Sequence, residues 1–227
     1  NNYVSHWGTA GSGPGEFDGP SGLSIDAEGN LLVVDHKNHR VQRYTADGEY
    51  IDSFGSEGSA RGQFNYPWGI TTASDGTIYV ADWRNDRIQR FTEDGVFIDA
   101  HGESGDGDGQ FNRPSSVAVD DDSFIYVADW QNQRVQVFDK DWNFQTIVRG
   151  EAGLSPWAAE YIDANKDEKI ARDLFDPYPK LDVDELYEVS ARTEPYFWVP
   201  VSVATYGDDR LLVLETARHR FQIFETV

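Results

Sequence analysis

Three observations predict an all-β fold, a four-bladed β-propeller: a 47-residue period, four short strand patterns within each period, and turn residues at fixed places between them. Pro20-Ser-Gly-Leu-Ser-Ile, Pro67-Trp-Gly-Ile-Thr-Thr and Pro114-Ser-Ser-Val-Ala-Val share one register, and Pro200-Val-Ser-Val-Ala-Thr is a fourth copy. Behind them run Asp35, Asp82, Asp129 and Glu215, then Arg40, Arg87, Arg134 and Arg220, then Gln42, Gln89, Gln136 and Gln222. Each series is spaced 47, 47 and 86, so 39 residues are inserted before the fourth copy and the 227 residues hold four whole periods.

The second copy shows the elements in order. Gly69-Ile-Thr-Thr-Ala is strand a, opened by Pro67, where a missing N–H removes no ladder bond. Ser74-Asp-Gly76 turns it into strand b, Ile78-Tyr-Val-Ala-Asp82. Strand c is Arg87-Ile-Gln-Arg-Phe-Thr, and Glu93-Asp-Gly95 turns it into strand d, Val96-Phe-Ile-Asp-Ala. A Gly-rich loop ending in Phe17, Phe64 or Phe111 leads into each of the first three copies. Asp82 closes b and Arg87 opens c, so the spacing predicts a carboxylate–guanidinium pair that fixes the hairpin register in every blade. Asn38, Asn85 and Asn132 are expected to take the left-handed turn conformation.

Pro67-Trp-Gly-Ile…Gly76-Thr-Ile-Tyr-Val-Ala-Asp82-Trp-Arg-Asn-Asp-Arg87-Ile-Gln-Arg-Phe…Asp94-Gly95 resembles the NHL repeat, a β-propeller module, and the resemblance covers the chain outside the insertion. It implies a binding or scaffolding role; some relatives bind RNA or protein on one face, and a few are metal-dependent lyases. The RNA-binding branch would need a basic face, whereas this chain carries 19 Lys and Arg against 40 Asp and Glu, a net charge of −21. Nucleic acid is therefore not an expected partner. No apolar run approaches a membrane span. Cysteine is absent, which removes disulfides and thiolate chemistry, and the absence of Met reads as a processed product or fragment. The acidic surface suits an extracellular or cell-surface setting.

Asn2-Tyr-Val-Ser-His-Trp7 falls in the register of strand d with no preceding c, and Arg220-Phe-Gln-Ile-Phe-Glu is a strand c with no following d. The N-terminal strand is expected to complete the last blade, through Tyr3, Val4, Trp7, Phe221 and Ile223, within its own ring or in a second copy, giving a homo-oligomer or filament.

The insertion, about residues 151–195 of the single domain, begins with the helix signal Ser155-Pro156. Trp157, Tyr161, Leu174 and Phe175 are expected to pack a helix of residues 157–175 onto the propeller. Asp163, Asn165 and Asp167 have the first three ligand spacings of a Ca²⁺ loop, without its Gly and its closing Glu. The b–c and d–a loops emerge on one face, which brings His36, Tyr66, Trp68, Trp83, Trp130 and Trp198 into one candidate binding surface. Such rings suit a protein, peptide or glycan ligand. No Ser-His-Asp, zinc-protease or phosphate-loop pattern occurs. The expected function is a non-enzymatic interaction, scaffolding or self-assembly module. The alternatives are a metal-dependent lyase or hydrolase with a central site, and an extracellular glycan- or peptide-binding module.

Overall fold

The computed structural model describes residues 6–150, 161–174, 176–177, 179–193, 195–207 and 210–226. After a short parallel pair, β1 (Thr9–Ala10) and β2 (Glu16–Phe17), come four antiparallel sheets that form the blades. Blade 1 is β3 (Pro20–Ile25), β4 (Leu31–Asp35), β5 (Arg40–Tyr44) and β6 (Tyr50–Phe54). Blade 2 is β7 (Pro67–Thr72), β8 (Ile78–Asp82), β9 (Arg87–Phe91) and β10 (Phe97–His101). Blade 3 is β11 (Pro114–Val119), β12 (Ile125–Asp129), β13 (Arg134–Phe138) and β14 (Phe144–Val148). Blade 4 follows the insertion as β15 (Pro200–Tyr206), β16 (Arg210–Glu215) and β17 (Arg220–Glu225). Each strand a has an irregular register just after its Pro, and Gly76 and Gly95 take the positive φ that their turns require.

One blade buries little by itself, and the core lies between blades. Leu32, Val34 and Val41 of blade 1 pack against Phe64, Ile70, Ile78, Val80 and Phe91 of blade 2. The same positions recur at the next two junctions, with Tyr79, Ala81 and Ile88 against Phe111, Val117 and Val127, then Tyr126, Ala128 and Val135 against Phe197, Val203 and Val213. The four a strands line one channel, with β3 beside β7, β7 beside β11 and β11 beside β15.

Among the described residues the close packing of that series does not extend from β15 back to β3, and the two outer blades leave apolar side chains exposed. Leu23 of blade 1 is 63% exposed where its equivalents Ile70, Val117 and Val203 are buried. On blade 4, Phe221 is 61% and Ile223 53% exposed. The blade 4 sheet is three-stranded among the described residues, and Tyr3 and Val4, expected to supply its fourth strand, lie outside them. Trp7 is described, and its indole packs on Tyr44 of blade 1 at 4.8 Å between ring centres.

The insertion departs from expectation. Residues 161–164 are helical, Asn165 interrupts, and α1 (Lys166–Asp173) resumes the helix; α2 (Leu186–Arg192) is a further helix between Pro179 and Pro195 that composition did not foretell. Tyr161 and Leu174 are exposed and do not anchor the insertion, while Trp157 and Phe175 lie outside the described residues. Anchoring comes from the C-terminal end of α2, where the Arg218 guanidinium donates to the carbonyls of Ser190 (2.6 Å) and Thr193 (2.9 Å).

Candidate functional site

A repeated polar knot holds the loop that enters each blade. The Asp82 carboxylate accepts from Arg87 Nε (2.8 Å), Asn85 Nδ2 (2.8 Å), Gln89 Nε2 (3.0 Å) and the backbone N–H of Asn65 (2.7 Å). Arg87 and Asn85 also donate to carbonyls of the Gly-rich loop at Gly58, Ala60 and Gln63, and Gln89 Oε1 accepts from Gly62. Asp35 and Asp129 repeat the arrangement, and Glu215 keeps its Arg and Gln partners. Burial pushes the Asp82 and Asp129 carboxyls above the ordinary range, against the opposing pull of those N–H groups. The predicted Asp–Arg pairs are thus structural, and each belongs to a larger net than its spacing disclosed.

The left-handed residue of the b–c turn is not the Asn. It is the next one, His39, Asp86, Gln133 or His219, with φ between 50° and 55°. The Asn side chain is committed to the carboxylate and the loop carbonyl, which fixes it in the preceding turn, as His36–Asn38 and Trp83–Asn85 show. The left-handed residue then reaches the following blade. Tyr66 N–H donates to His39 Nδ1 (3.2 Å), Arg113 N–H to Asp86 Oδ1 (2.7 Å) and Val199 N–H to Gln133 Oε1 (2.6 Å). Sequence reasoning missed this inter-blade latch because its residue type varies from blade to blade; only the shared position signalled it.

These turns and the first residues of strand a place the aromatic candidates at the channel mouth. His36 lies edge-on to Trp68 at 4.8 Å and 5.0 Å from Tyr66, and Trp83 stands 5.8 Å from both Trp68 and Trp130. His36 Nδ1 donates to the Pro67 carbonyl (2.9 Å), leaving Nε2 with its lone pair when the ring is neutral, and burial pushes the ring's pKa down. Arg84 lies over Tyr66 at 4.4 Å and Arg113 over Trp83 at 5.0 Å, two cations on a strongly acidic protein. Trp68, Trp83 and Trp130 with Val199, Val201 and Thr216 enclose a hollow of about 150 Å³. Trp68 is 41% exposed, so these rings do not serve only as inter-blade packing. Trp198 does not join them; it packs on Tyr187 of α2 (5.6 Å) and under Arg218.

The hollow shares Trp68, Ser115, Val201 and Thr216 with the channel, about 600 Å³, whose other lining is mainly Ser, Thr, Gly and aliphatic side chains, with no titratable group among the described residues. No group of three or more His, Asp or Glu among the described residues is placed to hold a metal ion. The candidate Ca²⁺ loop is spread along one exposed helical stretch. Asp163 pairs with Lys169, Asn165 donates to the Tyr161 carbonyl (2.7 Å), and Asp167 lies in the first turn of α1.

Blades joined through such latches around a common channel, with loops gathered at its mouth, define the class as a β-propeller. The NHL repeat model matches residues 17–44, 64–91 and 111–138, and the chain is an NHL-repeat β-propeller. It is similar to a catalytically inactive virginiamycin B lyase from Staphylococcus aureus with quinupristin, at 16% identity and a TM-score of 0.53 over 96% of this chain and 57% of that one. A protein of unknown function from Bacteroides thetaiotaomicron gives 16% identity and a TM-score of 0.60 over 91% and 47%, and a nidogen/laminin complex gives 14% and 0.50 over 92% and 64%. The chain thus spans about half to two-thirds of the length of these structures. Identities this low speak for the fold alone. No curated protein matches the chain. No helix among the described residues is long and apolar enough to cross a membrane.

Proposed function

We propose that the chain is a protein-interaction module whose recognition surface is the aromatic channel mouth of Trp68, Trp83 and Trp130, edged by His36, Arg84 and Arg113. The observation that carries this is the partly open indole hollow beside two guanidinium groups. Rigid rings give contact area at low entropic cost, and the guanidinium groups favour a partner that sets a carboxylate next to an apolar or aromatic group. NHL propellers are commonly protein-binding modules, and an extracellular setting fits the acidic composition.

The enzymatic alternative draws on the likeness to a lyase; among the described residues the channel is lined by Ser, Thr, Gly, aliphatic side chains and Trp68. The test is crosslinking capture of native partners by the intact chain and by Trp83→Ala/Trp130→Ala. Truncating two hot-spot indoles should reduce retention about tenfold or more. A partner retained equally by both chains would place recognition elsewhere.

A further inference from the structure

We propose that His39 is a proton-operated latch: a proton on its imidazole releases the Tyr66 backbone from blade 1, and with it the Arg84 and His36 side of the channel mouth. The consequence for binding rests on reading that mouth as the recognition surface; the latch itself does not. The three junctions between consecutive blades are each tied by one side-chain acceptor, and the acceptors differ in kind. Arg113 N–H is held by Asp86 Oδ1, Val199 N–H by Gln133 Oε1 and Tyr66 N–H by His39 Nδ1. A carboxylate or amide oxygen remains an acceptor near neutral pH, whereas an imidazole nitrogen that gains a proton becomes a donor.

Two partners at His39 Nδ1 make opposite demands on it. The Tyr66 N–H, 3.2 Å away, needs a lone pair there, and the Phe64 carbonyl, also 3.2 Å away, needs a proton. The neutral ring with its hydrogen on Nε2 satisfies Tyr66. The imidazolium satisfies Phe64, whose oxygen already accepts from the Gly58 N–H at 3.0 Å and has a second lone pair to offer. Charging the ring therefore exchanges the bond to Tyr66 for one to Phe64, two residues back along the same loop, and sets two N–H groups against each other where the latch was.

Tyr66 is poised to respond. Its φ is 55°, a left-handed conformation that a bulky residue keeps only where its surroundings impose it. Its ring lies edge-on to His39 at 4.6 Å, 5.0 Å from His36 and under the Arg84 guanidinium at 4.4 Å, so a shift of Tyr66 moves both groups at the mouth. The groups around His39 supply no free counter-charge. On its own turn and strand are His36, Lys37, Arg40 and Asp35, and the Asp35 carboxylate is taken up by Arg40 and Asn38. Across the junction are Tyr66 and Arg84, and on the loop Glu57 and Arg61, both exposed. Among the described residues no carboxylate bonds the His39 ring. Burial already disfavours a charge on His36, and a charge on His39 opposes it further.

Nuclear magnetic resonance of the 227-residue chain tests this with no partner present, so the latch and the recognition surface can fail separately. The His39 ring nitrogens should report the Nε2–H tautomer at about pH 8 and the doubly protonated ring at about pH 5. Over the same transition the Tyr66 amide resonance should move, and its protection from exchange, corrected for the intrinsic effect of pH, should fall about tenfold. The Arg113 and Val199 amides should keep their protection. His39→Gln installs the acceptor that blade 3 uses at the same position and should make Tyr66 protection independent of pH. A ring that stays neutral down to about pH 5, or Tyr66 protection that is the same whether the ring is charged or neutral, overturns the proposal. So does a Tyr66 transition that persists in His39→Gln, since the proton would then act elsewhere.

Discussion

Asp129 and Arg134 carry the strongest residue-scale constraint in the molecule, since both are essentially out of solvent and share a 2.8 Å charge-assisted hydrogen bond. Removing one member leaves the other charged and uncompensated in a poorly solvating site. Asp129→Ala is expected to cost about 3–5 kcal/mol in urea unfolding, visible as a lower midpoint at an unchanged slope. Glu215→Ala breaks the equivalent pair in blade 4, but the Arg220 left behind is partly exposed there, so the loss should be smaller. Equal losses at the two sites would mean that burial does not set the cost. The repeated Asp and Arg were legible in the sequence as partners across a hairpin. Their further contacts to loop carbonyls were not, because those partners lie some 24–28 residues upstream and bond through backbone atoms that any residue supplies.

Among the elements, strand a is where spacing between blades is set. A Cβ on Gly69 would approach the Ser115 carbonyl to 2.6 Å and Ser116 Cα to 2.7 Å, backbone atoms of the neighbouring blade. Only a residue without a side chain permits that approach. Gly69→Ala should therefore push β7 from β11 and cost about 1–3 kcal/mol by overpacking, with perturbation of amide exchange in both strands. An unshifted denaturation curve would show that the blades part freely there. The insertion teaches the same lesson at another element. Its fastening by Arg218 onto the end of α2 copies the way Asn and Arg hold the Gly-rich loop elsewhere, although the sequence singled out the exposed Tyr161 and Leu174 instead. Aromatic or aliphatic composition marks a candidate for burial, but the docking geometry decides which candidates are used.

For the whole molecule, pH dependence is a sum over groups whose pKa differs between folded and unfolded states. Burial lowers the pKa of His36 and of His101, the latter stacked on Trp142 against the opposing pull of Asp99. A lowered His pKa means that the unfolded chain binds more protons, so this stability is fully present above the unfolded value of 6.5 and is lost as pH falls through the folded value. Asp82 and Asp129, with raised pKa values, contribute in the opposite sense, their stability being lost as pH rises from 3.8 through the folded values. Comparing the melting temperature of the parent with that of His36→Gln/His101→Gln between about pH 8 and about pH 5 isolates the histidines. The parent should lose more stability on acidification than the variant, and parallel curves would refute the assignment.

By itself the sequence determined the 47-residue period, the strands found among the described residues, the glycine turns between them and the Asp–Arg pairs, because all of these follow from hydrogen bonding and periodicity between near neighbours. Tertiary structure alone decided the rest. It chose His39, Asp86 and Gln133 as latches, grouped Trp68, Trp83 and Trp130 while turning Trp198 toward Tyr187, and left Leu23 and Phe221 uncovered at opposite ends of the arc. Those outcomes depend on the rotation from blade to blade, which is set by many non-local packing contacts at once and is written in no single repeat.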